Sequence, residues 1–260
     1  MVSYMEPNKK LTIFLCMVIL FAVAFSLRFY KIASSPSGVF VDEASFGYNA
    51  YSILQTGKDE HGVFMPLVFK AFGDQKLPVY AYSIVPFVKL FGLGNMAVRM
   101  PSVIAGSIMG IMLFLLLLEL GFNLRLSFLG SLIAITSPWS LTMSRFGYES
   151  NVALTFFIAG IYVFFLSRRK NSIPLAILCG LLMGITWYSY IAYRLVTPLI
   201  LTVLMIQYYI KQKSHKTLGI VLLLLFLSQF RHSSSAYFQN KGPQDCANQA
   251  LSQIWELSCK

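Results

Sequence analysis

Asp42 and Glu43 stand side by side in the stretch Gly38-Val-Phe-Val-Asp-Glu-Ala-Ser-Phe-Gly-Tyr-Asn49, shortly after the apolar run Leu11–Leu27. Two adjacent carboxylates beside a membrane are costly to hold unless they serve a cation, a metal or a reaction. A local alternative is an N-cap, with Asp42 accepting from the first-turn amides of a helix over Glu43–Leu54. The two readings are compatible, because a capped helix also fixes the carboxylate. Three cations come next: Lys76 in Phe72-Gly-Asp-Gln-Lys-Leu-Pro-Val-Tyr80, Arg145 ahead of Glu149, and Arg194 after Tyr188-Ser-Tyr190. Each has a bland reading. Lys76 snorkels to the interface, Arg145 and Glu149 form an i,i+4 helical pair worth about 0.2–0.5 kcal/mol, and the tyrosines belong to an interfacial belt. His61, inside Gly57-Lys-Asp-Glu-His-Gly62, reads as a solvated loop residue rather than a ligand.

The elements that must position these groups are hydrophobic. Of 260 residues, 57% are hydrophobic and 12% charged, and the mean hydropathy is +0.66. Ordinary soluble domains carry about 25% charged residues, so the chain reads as a polytopic membrane protein. Its net charge of +11 is scattered between apolar runs. Loop retention and anionic lipid explain that pattern better than nucleic acid does. Cys16 and Cys179 lie within apolar runs and Cys246 and Cys259 in the polar tail; no spacing suggests zinc or a disulfide framework. Lys9 and Lys10 before the first run resemble a signal peptide, but Ser26-Leu-Arg28 offers no small-x-small cleavage site, which favours an uncleaved first helix.

Leu11–Leu27, Met100–Leu118, Leu126–Ser144, Ser150–Ser167 and Asn171–Tyr193 read as spans; Leu195–Ile210 is marginal and Thr217–Phe230 a shortened last run. Leu77–Val88 is too short to cross a core needing about 20 residues. Treating it as a juxtamembrane helix lets Lys9-Lys10, Arg168-Arg169-Lys170 and Lys211–Lys216 share the cytoplasmic side, as the positive-inside tendency requires. The N-terminus is then cytoplasmic. Asp42, Glu43, Lys76, Arg145, Glu149 and Arg194 all gather on the outer face, a convergence expected of a site rather than of a packing core. The expected fold is an all-α polytopic bundle of about six to seven spans.

The pieces Val41-Asp42-Glu43, Gly73-Asp-Gln-Lys76-Leu-Pro78-Val-Tyr80 and Val98-Arg99-Met-Pro101-Ser102 follow one another along the chain. Ser137-Pro138-Trp139, Ser144-Arg145…Glu149 and Tyr188-Ser-Tyr190…Arg194-Leu-Val-Thr-Pro198 continue the series. In this order, from Leu11 to Phe230, they resemble membrane glycosyltransferases of the dolichyl-phosphate-mannose-protein mannosyltransferase and aminoarabinose-transferase type, which share the C-type glycosyltransferase fold. One departure is Lys76-Leu77-Pro78, where that family often has Lys-Pro-Pro.

The resemblance implies transfer of a sugar from a polyprenyl-phosphate donor to an acceptor hydroxyl, with inversion, on the outer face of a prokaryotic cell membrane. Such a reaction needs a carboxylate base and positive charge for the departing phosphate. Asp42 is implied as the base and Glu43 as its partner, orienting the acceptor or holding a cation. Lys76, Arg145 and Arg194 are implied for the donor phosphate, and Glu149, Tyr80 and Tyr190 as supporting residues. No cofactor is expected beyond a possible divalent cation. The acceptor is a protein, lipid or glycan, and the absence of a glycine-rich phosphate loop argues against a nucleotide sugar. A transporter or lipid flippase is the rival class; it would place ionisable groups at mid-membrane in repeated halves. Family members are longer, and Arg231–Lys260 is polar and rich in Gln, Ser and Asn. The expected organisation is therefore an N-terminal transmembrane part, 1–230, incomplete at its C-terminal end, and a disordered or out-of-frame tail, 231–260. An inactive truncated transferase is the third alternative.

Overall fold

The structure is a computed structural model that describes residues 7–71 and 74–212. The chain divides into two compact units, Met1–Leu225 and Phe226–Lys260; every described residue belongs to the first. The last apolar run, Thr217–Phe230, and the polar tail lie outside the described residues.

In chain order the elements are α1 (Pro7–Phe29), α2 (Val41–Thr56), β1 (Phe69–Ala71), β2 (Asp74–Lys76), α3 (Pro78–Phe91) and α4 (Asn95–Glu119). Then come α5 (Leu124–Thr136), α6 (Pro138–Arg145), α7 (Glu149–Lys170), α8 (Ile173–Ser189) and α9 (Tyr193–Gln212). The expected all-α polytopic membrane fold holds, with one small addition. β1 and β2 form a two-stranded antiparallel ribbon that pairs Phe69 with Lys76. α1, α4 and α7 are each long and apolar enough to span a bilayer. The expected run Leu126–Ser144 is broken: α5 ends at Thr136, α6 starts at Pro138, and the two meet at 55°. Pro138 accounts for the break, since it offers no N–H to the preceding turn and disfavours helical geometry at the residue before it; Ser137 sits at φ −54°, ψ 132°. Counting the bent pair as one span gives four among the described residues; α8, α9 and α3 are shorter apolar helices.

α4 is the hub, touching α1, α2, α3, α5, α6 and α7. Small residues permit this. A Cβ added at Gly110 would lie 2.4 Å from Ile135 Cγ2 of α5, and one at Gly106 would lie 2.7 Å from Ser144 Cβ of α6. Without water to drive association inside lipid, close backbone approach of this kind is what holds helices together. α1 leaves Leu11, Phe14, Leu15 and Val18 exposed, a face suited to lipid tails. One core cluster joins α2, α3, α4 and α7 through Phe46, Tyr80, Ile84, Ala105 and Val152. It is this cluster that carries the candidate site.

Candidate active site

α2 begins at Val41, two residues before the expected start, and its cap is not Asp42. Phe40 is the N-cap, in extended geometry, and Glu43 reaches back to accept from the Phe40 N–H at 3.0 Å. Asp42 instead sits in the first turn, where the helix dipole favours a carboxylate. Its side chain is 44% exposed and its Oδ1 accepts from Lys76 Nζ.

Lys76 does not snorkel outward. It ends the β-ribbon, only 8% of its side chain is exposed, and its ammonium stands 4.7 Å from the Phe46 ring centroid. Cation–π attraction and the Asp42 carboxylate together offset the cost of desolvating that charge. The following Leu77-Pro78 fixes the geometry. Leu77 is extended at φ −83°, ψ 152°, and Pro78 occupies the first turn of α3, where its missing N–H costs nothing.

Glu43 is buried at 2% exposure, and both its oxygens are committed. Oε1 accepts from Arg99 Nε at 2.8 Å and from the Gly147 N–H at 2.8 Å; Oε2 accepts from Arg99 Nη2 at 3.0 Å as well as from Phe40. Burial by itself raises the pKa of this carboxyl. The hydrogen bonds from Arg99, Phe40 and Gly147, with Arg99's charge, overcome that effect and hold it below the usual glutamate range. Arg99 is fully buried and spends its remaining donors on the carbonyls of Ile32, Pro36 and Gly38 at 2.8–3.1 Å. It is not among the site residues expected from the sequence. A lone arginine in the otherwise uncharged start of an apolar helix was the available signal.

Tyr80, also fully buried, donates from Oη to the Val98 carbonyl at 2.8 Å and meets Phe46 edge-on at 5.1 Å. Burial first, then the charge of Glu43, pushes its pKa well above the ordinary tyrosine value, so the hydroxyl stays a donor. Gly147 passes between these groups. A Cβ there would lie 3.1 Å from Glu43 Cγ and 3.1 Å from Tyr80 Oη. Gly147→Ala is therefore expected to cost about 1–3 kcal/mol through overpacking, read as a lowered thermal midpoint in detergent; an unchanged midpoint would mean that the turn relaxes freely.

Arg145 ends α6 and Glu149 opens α7, so the two do not share a helix and the i,i+4 reading fails. Gly147 in the intervening turn is the physical reason, with Phe146 and Tyr148 extended on either side of it. Arg145 faces the backbone after α1, donating to Leu27, Tyr30 and Ser35. Glu149 lies close enough to Tyr80 for its charge to act on the phenol. Tyr190 caps the end of α8 and Arg194 lies in the first turn of α9. Arg194 Nε donates to the Trp187 carbonyl at 3.4 Å, and the Tyr190 ring meets Tyr193 at 6.4 Å. The structure thus brings Asp42, Glu43, Lys76, Tyr80 and Arg99 together, with Gly147 against them, while Tyr190 and Arg194 sit apart, at the end of α8 and the start of α9.

The loop after α2 is tied down rather than merely solvated. Asn49 and Glu60 exchange two hydrogen bonds at 2.9 and 3.1 Å, and Asp59 Oδ1 accepts from the His61 and Val63 amides. His61 is exposed and its Nε2 meets the Lys70 carbonyl at 3.1 Å. Among the described residues no group of three or more His, Cys, Asp or Glu side chains converges. Asp42 and Glu43 both face protein cations, so this donor set does not form a cradle for a divalent ion.

The model of the family described as dolichyl-phosphate-mannose-protein mannosyltransferase matches residues 18–238. The chain belongs to this family. Among solved structures, the mannosyltransferase-family chain is similar to ArnT from Cupriavidus metallidurans in the apo state, at 15% identity and a TM-score of 0.63. That match covers 84% of this chain and 41% of the other. It is also similar to the same protein bound to undecaprenyl phosphate, at 13% identity and a TM-score of 0.57, covering 88% and 42%. Identities this low speak for a shared fold. This mannosyltransferase-family chain spans about two fifths of the length of those structures. No curated protein matches its sequence.

Proposed function

We propose that the protein acts as an inverting glycosyltransferase, or as the base-bearing part of one, using a polyprenyl-phosphate-linked sugar. Asp42 takes the proton of an acceptor hydroxyl as its oxygen bonds to the anomeric carbon. The bond from that carbon to the phosphate oxygen breaks, and the polyprenyl phosphate departs with the electron pair. Lys76 neutralises the phosphate as charge develops on it. The observation that carries this reading is the contact of Lys76 with a half-exposed Asp42 at the start of α2. A proton acceptor and a phosphate counter-charge thereby stand at one spot, in a chain of this family. Glu43, whose oxygens are fully engaged, holds the site rather than touching the reacting atoms.

A cavity of about 580 Å³ between α3, α4, α7 and α8, lined by Val79, Phe87, Ile104, Met112, Phe156 and Leu178 among others, suits an apolar prenyl tail. In the proposed topology α1, α4, the bent α5–α6 pair, α7, α8 and α9 cross the membrane. α2 and α3 lie at the outer surface with the site, and the N-terminus is cytoplasmic. Two contacts support this arrangement. Arg145 at the end of α6 reaches the end of α1, and Arg169 of α7 pairs with Glu119 of α4 at 2.9 Å, so these helix ends share levels as alternating spans require.

Binding of undecaprenyl phosphate to the protein in nanodiscs tests the proposal. Saturable binding is expected. Lys76→Met is expected to weaken it by about 1.5–3 kcal/mol, the worth of a hydrogen bond to a charged group, which is at least about tenfold in Kd. Equal affinity in that variant would remove Lys76 from the phosphate site. Absence of saturable binding in the parent protein would count against the donor class.

A further inference from the structure

Two arginines divide between them the backbone of the segment that delivers Asp42. Arg145 donates through Nη1 to Leu27 O at 2.8 Å and through Nη2 to Tyr30 O at 2.9 Å and Ser35 O at 2.8 Å. Arg99 takes Ile32, Pro36 and Gly38, and Asn95 Nδ2 adds Ala33 O at 3.2 Å. Residues 30–40 form only turns and extended backbone; Lys31 O accepts from the Ser34 and Ser35 amides within the segment, whereas the carbonyls of Tyr30, Ile32, Ala33, Ser35, Pro36 and Gly38 take partners from outside it. Arginine's planar fork of donors suits that task, and a lysine ammonium does not.

The end of α6 is itself fixed. Arg28 Nη2 of α1 donates to Ser140 Oγ of α6 at 2.9 Å, so α1 and α6 grip each other in both directions. The close approach at Gly106 seats Ser144 against α4. Two residues beyond Arg145, the Gly147 amide binds Glu43, the neighbour of Asp42.

We infer that Arg145 is a positioning residue for Asp42, acting through the connector between α1 and α2, and not a ligand of the donor phosphate. Both terminal nitrogens of its guanidinium already serve three carbonyls at 2.8–2.9 Å. A bidentate phosphate would have to take those same N–H groups and would strip the connector of half its clasp. The inference rests on the transferase reading only for the reaction that Asp42 serves.

The test uses Arg145→Gln and Arg145→Lys in nanodiscs, read by amide hydrogen exchange, by carbodiimide labelling of Asp42, and by binding of undecaprenyl phosphate. In both variants, exchange over residues 30–43 is expected to rise about tenfold or more, with α7 and α8 unchanged. Asp42 labelling should rise as the loosened connector draws its carboxylate away from Lys76, which keeps its place on β2, and the lysine variant should behave like the glutamine one because one ammonium cannot span three carbonyls. Affinity for undecaprenyl phosphate should stay within about twofold. Unchanged connector exchange or unchanged Asp42 labelling in Arg145→Gln would overturn the inference. So would an increase in exchange spread across α7 and α8, or a loss of about tenfold or more in probe affinity. A parent protein that binds no undecaprenyl phosphate counts against the transferase reading alone, because exchange and labelling still decide the role of Arg145.

Discussion

Under the proposed transferase reading, Asp42→Asn is expected to lower sugar transfer by about 10²–10⁴-fold, the range that a general base contributes. Asparagine keeps the size of the side chain and an oxygen for Lys76 but cannot take the acceptor's proton. The first turn of α2 should persist, because its cap comes from Glu43 and not from Asp42. Membrane insertion and thermal midpoint should therefore change little, which separates loss of chemistry from loss of fold. Turnover at the parental rate in Asp42→Asn would dismiss Asp42 as the base and leave its pairing with Lys76 a purely structural contact.

The second large effect concerns stability. Arg99→Ala removes the partner of a buried carboxylate and the donors of three carbonyls at once. Breaking a buried pair from one side typically costs about 3–5 kcal/mol, a large share of the net stability of most domains. Replacing both Arg99 and Glu43 with apolar residues should recover only part of this, since the Ile32, Pro36 and Gly38 carbonyls and the Phe40 and Gly147 amides stay unpartnered. The same cluster sets an acid limit. Glu43 is held below the ordinary glutamate value of 4.5, so its contribution is fully present above that pH and disappears as pH falls through the folded-state pKa. Unfolding curves from pH 7 down to about 3 should show the parent losing stability at the acid end. Glu43→Gln should start lower and change less over that window. A parent and variant that decline in parallel would mean that Glu43 is not a source of the acid sensitivity.

The sequence made Asp42 and Lys76 legible because a carboxylate and a lysine at a membrane edge are conspicuous against so apolar a background. It made the bent α5–α6 pair less so, although Ser137-Pro138 was in view, since an unbroken apolar run still looks like one span. The role of Arg99 was hidden for a different reason. Its partners are Glu43, 56 positions earlier, and backbone carbonyls 61–67 positions earlier, and carbonyls carry no residue identity to read. The bland alternative for Arg145, a helical pair with Glu149, fails because spacing alone does not reveal that Gly147 interrupts the helix to pass Glu43 and Tyr80. Local patterns thus give the elements, whereas the clasp around Asp42 depends on long-range contacts of main-chain atoms.

Arg145 grips Leu27 across 118 positions, and that separation has a meaning in time. Synthesis at about 5–20 residues per second puts Arg145 roughly 6–24 seconds behind Leu27. Through that interval α1 can already sit in the bilayer while the connector behind it waits, its carbonyls turning to water or lipid headgroups. Arg99 arrives first and captures half of them; the second half must wait for the end of α6. A nascent chain stalled before residue 145 would therefore carry the carboxylate pair on an unlatched segment, open to proteases at the membrane surface, and would become resistant there only once α6 has emerged.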